Sequence, residues 1–71
     1  MVKNLVFPVW KRDNGEIISC AEKVKVMRES MDELIQNIQD TYEDALLMDV
    51  SSQQFKDFLI QLITKMDSPY N

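Results

Sequence analysis

Seventy-one residues, 45% of them hydrophobic and 28% charged, with a net charge of −4, make one small acidic domain. The negative balance argues against nucleic-acid binding, because duplex affinity comes mostly from neutralised phosphates. Cys20 is the sole cysteine and histidine is absent, which excludes an intrachain disulfide and the usual zinc ligand sets.

Residues 1–18 form an N-terminal arm with the chain's only strand character, read as an extended segment or a β-hairpin over about 4–18. Leu5, Val6, Phe7, Val9 and Trp10 are β-branched, aromatic or large, and Pro8 among them belongs on an edge. Asn14-Gly15 predicts a two-residue type I′ turn. That register sets Asp13 opposite Glu16, Arg12 opposite Ile17 and Lys11 opposite Ile18, with two like charges beside the turn. The Leu5–Trp10 run is too short for a signal peptide, and no segment approaches the ~20 apolar residues of a membrane span. A cytoplasmic protein with no membrane association is the expectation, in keeping with a lone thiol.

The first helix is predicted over about 20–48. Ser19-Cys20-Ala21-Glu22 fits the capping box S-x-x-E, and no glycine or proline follows before Asp49. Val24, Met31, Ile38 and Ala45 fall at heptad position a; Met27, Leu34, Thr41 and Met48 fall at d. Ile35, Tyr42 and Leu46 widen the stripe, which suits a bundle better than a two-stranded coil. Ser51-Ser52-Gln53-Gln54 is a second capping box, opening a helix over about 52–66. It carries Phe55, Phe58, Leu59, Ile60, Leu62, Ile63 and Met66 around more than half its circumference. Ser68-Pro69 closes it, leaving a short tail over 67–71. The short link predicts an antiparallel helical hairpin. The fold class is therefore mainly α, in one small domain over 1–71.

Helix length then matters. At 1.5 Å per residue the first helix is ~43 Å long and the second ~22 Å, so the second covers only about residues 35–49 of the first. Val24, Met27, Met31 and Leu34 are left without a helical partner. Exposing them forgoes roughly 1.5–3 kcal/mol each, comparable with the whole stability of so small a domain. Two covers are available: the N-terminal arm through Phe7 and Trp10, and a second copy that completes a four-helix bundle. Val24, Met27, Met31, Leu34, Phe7 and Trp10 are accordingly the expected dimer or partner contacts. Charge is split along the chain, net +3 over residues 1–28 and −7 over residues 29–71, an asymmetry that would suit two antiparallel copies, although a chance distribution of solvated charge is the plainer reading.

Little in the sequence points to chemistry. Glu29, Asp32 and Glu33, like Asp40, Glu43 and Asp44, share helix faces at spacings that suit a hard cation, yet they lie off the seam and read as a solvated face. Carboxylate-bridged di-iron bundles normally add a histidine that this chain lacks. Cys20 sits near Lys23 and Lys25 with no base to activate it, and reads as a half-buried structural thiol. Trp10 beside Lys11 and Arg12 reads as packing. No metal, cofactor or catalytic residue is expected. The functional expectation is a small homodimeric interaction or regulatory module acting on another protein. The alternative is an acidic antagonist, antitoxin-like or mimicking nucleic acid.

Overall fold

The computed structural model describes residues 5–70. It contains two helices, α1 (Ala21–Leu47) and α2 (Ser52–Thr64), and no named strand among the described residues. The sequence-predicted bounds of 20–48 and 52–66 shrink by one to two residues at three of their four ends. The predicted arm and tail extend into residues 1–4 and 71, which lie outside the described residues. Contacts gather into two compact units, one ending at Gln39 and one beginning at Asp40.

The first unit is the arm and the N-terminal part of α1. The arm turns at residues 12–16 by a route different from the expected one. The Gly15 N–H donates to the Arg12 carbonyl at 2.9 Å, closing a turn with Asp13 and Asn14 at its centre. Gly15 then takes φ +90, the left-handed conformation that glycine adopts without a Cβ penalty. This is a three-residue loop with a glycine bulge in place of a two-residue type I′ turn. The Asn14 side chain explains the preference: its Oδ1 accepts from the Glu16 N–H at 2.9 Å and its Nδ2 donates to Glu16 Oε1 at 2.6 Å.

The extra loop residue moves the register by one. Lys11 bridges Ile17, the Arg12 N–H donates to the Glu16 carbonyl, and the Ile18 N–H donates to the Trp10 carbonyl at 2.9 Å. A one-residue slip turns every side chain to the other face. Here it takes Asp13 away from Glu16 and pairs Trp10 with Ile18, both half-buried.

Helix α1 begins one residue later than the capping box implied. Cys20, not Ser19, holds the cap position, with the Cys20 carbonyl accepting from the Val24 N–H at 3.0 Å. Two i,i+4 ion pairs support the exposed face, Lys25–Glu29 at 4.0 Å and Arg28–Asp32 at 3.4 Å, each contributing a few tenths of a kcal/mol.

The second unit is a helical hairpin. Helix α1 stops in a Schellman arrangement: the Val50 N–H donates to the Ala45 carbonyl at 2.9 Å and the Asp49 N–H to the Leu46 carbonyl at 3.1 Å. Asp49 occupies the left-handed position usually filled by glycine, at φ 62. The second capping box forms as expected, with Ser51 Oγ accepting from the Gln54 N–H at 3.2 Å. Across the hairpin the Tyr42 and Phe55 rings meet at 5.3 Å between centroids, and the Tyr42 hydroxyl hydrogen-bonds Ser52 Oγ. Ala45 is the one buried hydrophobic residue among the described residues.

Replacing Asp49 by glycine removes the left-handed strain and a negative charge at a helix C-terminus. Urea denaturation at fixed protein concentration should show Asp49→Gly to be more stable by about 1 kcal/mol.

Candidate functional site

The six expected contact residues divide between the arm and α1. Phe7, Trp10 and Met31 are half-buried, whereas Val24, Met27 and Leu34 remain 40%, 39% and 49% exposed. The arm therefore acts as a partial lid. It covers position a at Met31 and leaves position d open at Met27 and Leu34.

Trp10 is the centre of this arrangement, and the shifted register puts it there. It lines three grooves between the arm and α1. One, about 530 Å³, runs between Trp10, Lys11 and Ile18 on the arm and Lys23, Met27 and Ser30 on the helix. Another, about 640 Å³, lies among Phe7, Val9, Val24 and Arg28. A third, about 160 Å³, lies where Leu5, Val6 and Phe7 approach Met31 and Ile35. Charge holds the lid in place as well as apolar contact. The Arg28 guanidinium sits over the Phe7 ring, 4.1 Å from its centroid, and its Nε is 3.4 Å from Asp32 Oδ2. Asp32 thus fixes the arginine plane that Phe7 lies against.

The second unit holds an apolar surface that the sequence reading did not include among the contact residues. Phe55 and Leu59 turn inward, but Phe58, Ile60, Leu62, Ile63 and Met66 are more than half exposed. Leu62 shares the helical face of Phe55 and Leu59, so it extends the inner stripe into solvent, and Met66 follows just past the helix end. The signal was available in the width of the apolar arc on α2, which exceeds what one neighbouring helix covers.

Comparison with family models, curated proteins and solved structures finds no match. The chemistry of the surface is therefore the ground for a functional reading. Among the described residues, no group of three or more histidine, cysteine, aspartate or glutamate side chains is placed to hold a metal ion. Nor is any helix among them long and apolar enough to cross a membrane.

Cys20 differs from expectation. It is exposed, not half-buried. The backbone N–H groups of Lys23 and then Glu22 donate to its sulfur and, with the nearby Lys23 charge, hold its pKa below the ordinary thiol value.

Two outcomes follow. Arg28→Ala removes the cation over Phe7 and should destabilise the protein by about 1 kcal/mol, with the emission of Trp10 shifting to longer wavelength as the lid loosens. Cys20 should alkylate with iodoacetamide at pH 7 faster than a small free thiol. Its rate should reach half-maximum at a lower pH, because the gain in thiolate fraction outweighs the lower nucleophilicity of a more acidic thiol.

Proposed function

We propose that this chain is a non-catalytic protein-interaction module whose working form is a homodimer. The observation that carries this reading is the unburied apolar surface. In the first unit Met27 and Leu34 are each more than a third exposed, and in the second unit Phe58, Leu62, Ile63 and Met66 are each more than half exposed. Large apolar surface left in solvent is characteristic of proteins that bind other chains.

A second copy completes a four-helix bundle from two helical hairpins, the arrangement in which each pair of helices has an apolar neighbour on both sides. Apolar α2 surface left over after pairing is the docking site for another protein. The lack of histidine and of any paired nucleophile and base supports a role in recognition over one in catalysis. The acidic-antagonist alternative would use the outward face of α1, where its carboxylates gather; two of them, Glu29 and Asp32, are already paired with Lys25 and Arg28.

Light scattering after size exclusion should give about twice the 8.3 kDa chain mass at micromolar concentration. A monomer mass throughout that range overturns the reading. Affinity capture from cells that make the protein, followed by mass spectrometry, then identifies what the dimer binds.

A further inference from the structure

The heptad pattern of α1 is divided between two uses. Its a positions from Met31 onward are occupied inside the chain, though Val24, the first of them, is 40% exposed: Met31 lies beneath the arm beside Phe7 and Trp10, Ile38 is half-buried, and Ala45 is buried. Its d positions are exposed, with Met27 at 39% and Leu34 at 49% and Thr41 exposed as well, and Met48, at 70%, follows just past the helix end. Flanking them on one side at position g are Lys23, Ser30, Asn37 and Asp44. This is a second, narrower seam, rotated away from the first.

We infer that two copies pair antiparallel along this d seam of α1, with Leu34 on the two-fold axis and Lys23 of each copy opposite Asp44 of the other. The inference rests on the homodimer reading and specifies its geometry. A two-fold interface must be self-complementary, so each residue on one side of the axis needs a fitting mate on the other. With Leu34 facing Leu34, Met27 faces Thr41 seven residues away in either direction. Lys23 lies eleven residues before Leu34 and Asp44 ten after it, so the two come level across the seam to within about 1.5 Å along the axis. A lysine side chain spans that offset. Ser30, small and also on the flank, lets the backbones approach.

Charge fixes the direction. Parallel pairing sets Lys23 against Lys23 and Asp44 against Asp44; antiparallel pairing makes both contacts attractive. Neither residue is in an ion pair among the described residues. Lys11 lines the same groove as Lys23, so the Asp44 of the second copy meets two cations, with Glu22 the one opposing charge there.

Disulfide trapping and charge exchange test the geometry. In a Cys20→Ser background, Leu34→Cys should oxidise to a covalent dimer, and Glu29→Cys, on the opposite face, should not. Lys23→Glu and Asp44→Lys place like charges across both flanks, so each should weaken the dimer about tenfold. Mixing the two variants should yield a heterodimer with both pairs restored, and the double variant Lys23→Glu/Asp44→Lys should dimerise like the parent. Circular dichroism of each variant shows whether its helices persist. If the parent is a dimer but Leu34→Cys fails to cross-link and the charge variants behave as the parent does, this pairing is wrong and the homodimer reading stands. A monomeric parent overturns both.

Discussion

One mismatch governs this molecule: α1 carries an apolar stripe wider than the rest of its own chain covers. A 27-residue helix with both a and d positions apolar needs two neighbours along its length. The arm supplies one over the N-terminal half, and α2 supplies one within the second unit. Both are short, so each covers a strip of the stripe. The near-absence of buried side chains among the described residues follows directly.

Within that constraint the arm is held by three inexpensive devices. The glycine bulge at Gly15 sets which face Trp10 presents, the Trp10–Ile18 backbone bond fixes the return of the chain, and Arg28 clamps Phe7 from above. None is large alone. A cation over an exposed ring contributes about 0.5–1 kcal/mol and a single backbone hydrogen bond about 1 kcal/mol. Together they order a segment whose apolar side chains otherwise have nothing to rest on.

Much of the fold was legible in the sequence. Both helices, their hairpin and the cap at Ser51 follow from periodicity and punctuation, since these signals are local and strong. The failures were also local, and each came from a side chain competing for the backbone. Asn14 bonds forward to Glu16 and draws the turn into a three-residue loop, which a match to Asn-Gly alone does not reveal. Cys20 takes the cap that the S-x-x-E pattern assigned to Ser19. The Schellman end of α1 went unread because aspartate, not glycine, fills its left-handed position. Of the candidate surface, the six residues on the arm and α1 came from asking what lacked a partner. Their division into covered and open positions was not, because it depends on which side of the helix the arm lies, and a one-residue register decides that.

The two units also bear on how the chain reaches its native state. Trp10 meets Ile18 and Tyr42 meets Ser52 at sequence separations of only eight and ten. Loops of that length close in about 10–100 ns, and structures dominated by such contacts fold within microseconds to milliseconds. Chain closure is then never slow. If the chain works as the proposed homodimer, what remains is the meeting of two molecules at low concentration, typically at 10⁵–10⁷ M⁻¹s⁻¹, and during that interval each freshly made chain carries its apolar seam in the open. The time spent in that state is set by how much of the protein its cell contains, and not by anything written in the turns.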